Sequence, residues 1–205
     1  MALVVVKRTK STRRERRQQV QEAARRIIAN QGMEKLTMES LAGEIGISVA
    51  AIYRHVEDKH EILLLVLDDI ERTLMEGVAE GQKQGDSALE RLQGILKTRL
   101  SYAERRRGVT FLVVNEAVRL DDARLRRRAS DVVERYLDAV AEVLRQGQQE
   151  GTVRQDLDVD TAASLFFGMV QSKVTLWALR SRSFSLSDGW EGLWDLYCAA
   201  IRKPR

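Results

Sequence analysis

The stretch TMESLAGEIGISVAAIYRHVEDKH, residues 37–60, decides the fold. Leu41, Ala42 and Ile45 recur at helical spacing and turn one face of a short helix inward. Gly46 supplies the left-handed or tight backbone that ends such a helix. Ile47 anchors the turn, and Ser48 is a good N-cap for a second short helix over residues 49–55, with Ala51, Ile52 and Val56 facing inward. Two short helices joined by a glycine-containing turn of about three to four residues form a helix-turn-helix, whose second helix enters the major groove of DNA.

Charge supports that reading. Residues 1–60 hold 12 Lys or Arg against 7 Asp or Glu, a net charge of +5, whereas residues 61–205 hold 22 against 23, a net charge of −1. The whole positive excess of the chain therefore lies at its helix-turn-helix end, where phosphates would be neutralised.

In the order of its parts the chain resembles the TetR family of bacterial transcriptional regulators. A basic arm precedes a long first helix ending at Asn30-Gln31-Gly32, and LTMESLAGEIGISVAAIYRHVEDKHEIL (36–63) follows. Ala51-Ile52-Tyr53-Arg54-His55-Val56, with Lys59 after it, is similar to the family's recognition helix and the start of its fourth helix. Val56 stands where the family typically has Phe, and Val49 where the residue after the cap is often polar. The resemblance implies an all-α fold of about nine helices. A three-helix DNA-binding domain with its basic arm would occupy residues 1–60, and a helical regulatory and dimerisation domain residues 61–205.

Composition bounds the rest. A single Pro, 44% hydrophobic and 31% charged residues describe an ordinary globular helical chain. The apolar start, residues 1–6, is too short for a signal core, and no later run approaches a membrane span, so a cytoplasmic, nucleoid-associated protein is expected. The single Cys198 makes neither an internal disulfide nor a thiolate metal cage, and it reads as a buried thiol. His55 and His60 have no ligand partners at metal spacing, and no catalytic triad or paired carboxylates stand out. No cofactor, metal or enzymatic role is expected.

Along the chain, residues 7–17 read as a basic arm, with Arg13, Arg14, Arg16 and Arg17 aimed at phosphate or a minor groove. From about residue 12, Val20, Ala23, Ala24, Ile27 and Ile28 mark the first helix. A fourth helix starts after Asp58, whose side chain pairs with Glu61 in a cap, and runs past Leu74. Gly77, Gly81 and Gly85 read as its frayed end and a linker. Ser87-Ala88-Leu89-Glu90 has capping-box form before a helix to about residue 104. A short helix over 109–118 and a long one over 121–149 follow, then two very apolar helices. The basic clusters 105–107 and 126–128 read as solvated faces beside acidic neighbours.

Direct reading of bases falls to Arg54, able to grip guanine bidentately, and to Ser48, Val49 and Ala50 on the leading edge of the recognition helix. Thr37, Tyr53, His55 and Lys59 resemble the family's backbone clamps. The apolar excess of the last two helices implies a homodimer, for which Phe167, Val170, Val174, Trp190, Trp194, Tyr197 and Ile201 are the candidate interface; two heads would then sit on a palindromic operator. By resemblance the body holds a small-molecule effector, with Tyr102, Phe111, Asn115, Phe166, Met169 and Trp177 as candidate contacts. The most direct expectation is a dimeric repressor released from DNA by that effector. A second reading is a nucleoid-occlusion factor of the same fold that antagonises the cell-division polymer, which Ala50–His55 and the Ala103-Glu104-Arg105 to Gly108-Val109-Thr110 passage resemble.

Overall fold

Thr12 opens the first helix with a reciprocal capping box. Its hydroxyl accepts the Glu15 amide at 3.2 Å, and the Glu15 carboxylate accepts the Thr12 amide at 2.8 Å. The computed structural model describes residues 12–204; Lys7, Arg8 and Lys10 of the expected arm lie outside the described residues. Helix α1 (Arg13–Gln31) buries Val20, Ala23, Ala24, Ile27 and Ile28 and ends at Gly32, φ 94°. Arg13, Arg14, Arg16 and Arg17 thus belong to the first turns of a helix, not to an arm, because Thr12 and Glu15 start the helix ahead of them.

After a 3-10 turn (Met33–Lys35), α2 (Met38–Ile45) is boxed by Thr37 and Ser40 and ends on Gly46, φ 75°. The amides of Gly46 and Ile47 both donate to the Ala42 carbonyl, at 2.9 and 3.0 Å. This left-handed closure satisfies the helix end and sets the angle of the next element. Ser48 caps α3 (Val49–Tyr53), which is shorter than expected because His55 and Val56 close onto Ile52 as a turn. Five residues cannot hold a helix in water alone. Ile52 and Val56, both fully buried, fix it by packing.

The body follows as α4 (Lys59–Gln82), α5 (Ala88–Arg105), α6 (Val109–Arg119), α7 (Ala123–Gln149), α8 (Val159–Leu179) and α9 (Trp190–Ile201). These nine α-helices, with no strand beyond the isolated Val153–Arg202 bridge among the described residues, make the fold all-α as expected. Helix α4 is its axis: it packs on α1 in the head and on α5 and α7 in the body, and α7 in turn carries α8.

Two sequence readings change here. Gly77 and Gly81 are buried inside α4, which runs unbroken to Gln82. A Cβ on Gly81 would land on the backbone of Ile95, and one on Gly94 on the carbonyl of Gly81. The glycines let α4 and α5 touch backbone to backbone, where a frayed end and linker had been expected. Helix α8 also has the length and mean hydropathy, 1.2, that a membrane span requires by composition alone. The expectation that no apolar run reaches that threshold is therefore corrected.

Candidate nucleic-acid interface and regulatory cavity

The helix-turn-helix presents a small polar face. Ile52 points into the core while Ala50, Tyr53 and Arg54 stand outward, Tyr53 with 54% of its surface exposed. Ser48 spends its hydroxyl on the Ala51 amide at 3.2 Å, and Thr37 its own on the Ser40 amide at 3.1 Å. Both remain exposed, at the N-termini of α3 and α2, where free amides and the helix dipole favour phosphate. Val49 is half-buried against the core, which leaves only part of its surface for a base.

Arg13 and Arg14 are exposed on the first turn of α1. His55 senses their field: burial holds its imidazole below the ordinary value, and the Arg16, Arg13, Arg54 and Arg17 cations lower it further. Its Nδ1 is buried without a partner. Four arginines around one imidazole define the positive surface that the charge distribution called for.

Two candidate phosphate contacts are engaged internally. Arg17 Nη1 donates to the His55 carbonyl at 2.9 Å and to Glu61 Oε1 at 2.6 Å, tying α1 to the end of the motif. Lys59 Nζ lies 3.3 Å from the Met33 carbonyl and 3.5 Å from Glu116 Oε1. The sequence assigned both side chains to DNA; in the structure the nearest opposite charge wins.

Three polar joints connect head and body. Glu116, buried on α6, takes a bidentate pair of 2.7 Å bonds from Arg119 besides Lys59. The Arg119 bonds, with the Lys59 charge, hold its carboxyl below the usual range against the opposing effect of burial. Asp69, buried on α4, accepts from Arg106 at 2.5 Å and from Arg72, and lies 4.0 Å from Arg25 of α1. Arg182, packed on the Trp177 ring, reaches the carbonyls of Ala29 and Arg107 at 3.5 and 3.3 Å.

Between α4, α5, α6 and α7 lies a cavity of about 10 Å³, the room of one water. Leu74, Val78 and Ile95 give it apolar walls, and Arg99, Tyr136, Thr73 and Arg106 bring polar groups to it. Of the six effector candidates only Tyr102 lines this cavity. Phe166 is sealed in the core edge-on to Tyr197 at 5.3 Å, and Trp177 is buried with its indole N–H on the Phe184 carbonyl. Phe111 and Met169 are half-buried core neighbours, and Asn115 is exposed, donating to the Phe111 carbonyl. Sequence reasoning missed Arg99. Its signal was a cation on the inward stripe Leu92, Leu96, Ala103.

The interface candidates are displaced in the same way. Val170, Val174, Trp194, Tyr197 and Ile201 are buried in the chain's own core, Phe167 is half-buried beside Tyr136, and Trp190 lies half-buried under Lys97. The outward faces instead carry Leu165, Gly168, Ser172, Leu176 and Leu179 on α8 and Gly192, Leu196, Ala199 and Ala200 on α9. Leu179 and Leu196 are 77% and 76% exposed. Two helices with an apolar or small-residue face left open are the surface of an unpaired protomer.

A short capped recognition helix on a basic head, joined by one long helix to an all-helical body with an open apolar face, defines a dimeric helix-turn-helix DNA-binding regulator. The comparisons specify it further. Residues 21–66 match the family described as "Bacterial regulatory proteins, tetR family", and residues 60–200 match "YsiA-like protein, C-terminal region". The chain belongs to the tetR family of bacterial transcription regulators. It is 26% identical over 193 residues, 94% of this chain and 97% of the relative, to the nucleoid occlusion factor SlmA of Vibrio vulnificus. Its fold is that of the regulator FadR from Bacillus subtilis in complex with stearoyl-CoA (TM-score 0.79, 23% identity, 90% of this chain and 99% of that one). A transcriptional regulator from Saccharomonospora viridis in complex with choline is similar too (TM-score 0.78, 24% identity, 93% and 100%).

Proposed function

We propose that this protein is a cytoplasmic, nucleoid-associated repressor that holds a palindromic operator as a homodimer and releases it when a small molecule enters the body. The observation that carries the reading is the outward presentation of Ala50, Tyr53 and Arg54 from a helix whose Ile52 is locked in the core. In this reading residues 1–60 bind DNA and residues 61–205 regulate and dimerise, with no catalytic role. Arg54, Ala50 and the exposed part of Val49 read bases. Thr37, Ser48, Tyr53, Arg13 and Arg14 hold phosphates. The apolar length of α8 serves the interface with a second copy rather than a bilayer.

Release follows from geometry. The cavity-lining Arg106 binds Asp69, which also lies by Arg25 of the head. A molecule that wedges α4 from α5 or α7 disturbs this joint and retilts the head, and two retilted heads no longer match one operator spacing. A second reading, nucleoid occlusion, draws on the SlmA relative that covers nearly the whole chain. A genome-wide map of chromosomal occupancy at stated salt separates the two. One or a few palindromes near promoters support the repressor; dozens of sites with little transcriptional effect support occlusion.

A further inference from the structure

Arg99 is the buried charge of the body that has no counter-ion. It sits mid-helix on α5, and among the described residues it has no ion pair and no hydrogen bond, and its Nε is fully enclosed without a partner. Tyr136, from α7, presents a second enclosed and unpartnered atom, its phenolic oxygen. Both line the same cavity, where Leu74, Val78, Ile95 and Tyr102 form the apolar side and Thr73, Thr110 and the Asp69-bound Arg106 the rest.

A guanidinium stays protonated in proteins, so an interior arginine needs an anion or a desolvation penalty stands against it. Burial lowers its pKa here, and Tyr136, pushed up to about 12, remains a neutral donor. The buried Asp69 is already held by Arg106 and Arg72. Two unpartnered donor side chains lining one small space that has an apolar side describe a socket for an oxyanion carried on an apolar body.

We propose that the cavity takes an amphiphilic anion, its carboxylate or phosphate head on the Arg99 guanidinium and the Tyr136 hydroxyl, its apolar part along Leu74, Val78 and Ile95. This rests on the effector reading above and names the effector's chemical class. With room for about one water, the cavity must widen to take the head as well as the tail. That widening follows displacement of Tyr102, whose ring would lie 3.5 Å from a Cβ placed on Gly77 and whose hydroxyl is latched to Glu80 at 2.5 Å.

The test uses the full-length protein with sodium octanoate, octyl phosphate and the neutral octanamide, plus acetate as the smallest carboxylate, read by calorimetry and thermal shift. Wild type is expected to bind octanoate or octyl phosphate at least about tenfold tighter than octanamide, the equivalent of one charge-assisted bond. Arg99→Met should erase that preference, and its raised melting temperature would show that it folds. Tyr136→Phe should weaken the anion about threefold and keep the preference. Which of octanoate and octyl phosphate binds more tightly tells a carboxylate source from a phosphate ester. Equal binding of anions and octanamide by wild type, or unchanged anion binding by Arg99→Met, overturns the proposal. The same titrations with the selected operator duplex present separate the two readings. Anions that bind through Arg99 without weakening DNA leave the socket standing and remove the effector role.

Discussion

The Lys59 ammonium lies 3.5 Å from the buried Glu116 carboxylate, across the seam where the DNA-reading head meets the body. A cation at the start of α4 could equally reach a phosphate, so its two possible partners make different predictions. With Glu116 intact, Lys59→Ala should leave the slope of log K against log salt nearly unchanged. In a Glu116→Gln background the freed lysine turns outward, and removing it should flatten the slope by about 0.9, one phosphate contact. Salt titrations of the four proteins by fluorescence anisotropy decide the matter; a slope change already in the first mutant would place Lys59 on DNA.

Arg54→Ala should relax base preference, losing about 1–3 kcal/mol at one operator position and little on random DNA. Arg13→Ala and Arg14→Ala should weaken operator and random sequences alike. Binding to a panel of single-base operator variants reads the difference, and equal losses on every variant for Arg54→Ala would strip it of its reading role.

Gly81→Ala should destabilise by about 1–3 kcal/mol or more, because its new methyl would meet the Ile95 backbone rather than a side chain that can swing away. Gly168→Ala, with open space around its Cβ, should be neutral or stabilising in the unpaired protomer. Denaturant melts of the two give the comparison.

His55 ties stability to pH. Its folded value is depressed by burial and by the surrounding arginines, so the neutral ring is favoured in the fold. That contribution is complete above about 6.5, the unperturbed value, and is lost as pH falls through the lower folded value. Melting temperatures of wild type and His55→Gln should therefore converge or cross as pH drops from 7.5 to 5.5. Parallel curves across that interval would count against the assignment.

Leu196→Glu and Leu179→Glu should convert dimer to monomer, since each puts a carboxylate where a leucine worth about 1.5–3 kcal/mol would be covered. Light scattering after gel filtration reads the mass, and operator affinity at nanomolar protein should fall with it. An unchanged mass would move the interface off α8 and α9.

The helix-turn-helix was legible because its instructions are local. Thr37 and Ser48 cap helices with their own hydroxyls, Gly46 ends one by its backbone freedom, and Leu41 and Ile52 show their period within a turn or two. The body was legible as helices but not as surfaces. Tyr197 and Val170 looked like partner-facing excess because nothing local says that α8 turns its aromatic side to α7 and α9 its own to α5 and α8, leaving the smaller residues and the leucines outside. Gly77 and Gly81 read as a weakening helix because close approach to α5 is a long-range fact. Arg99 was missed for the opposite reason: its signal was local, but among 34 basic residues one cation on an inward stripe does not announce that it is alone.

The pinch between Gly81 and Gly94 sits at the far end of the same helix that begins beside the recognition element. Twenty-two residues of α4 separate Lys59 from Gly81, roughly 33 Å at 1.5 Å per residue. Held at the pinch and pushed close to it, where Leu74 and Gly77 form cavity wall, such a rod multiplies displacement: a tilt of about 5° at the pinch carries its other end about 3 Å. That is near the rise of one base pair, so a movement smaller than a methyl group in the interior becomes a mismatch of register on the duplex.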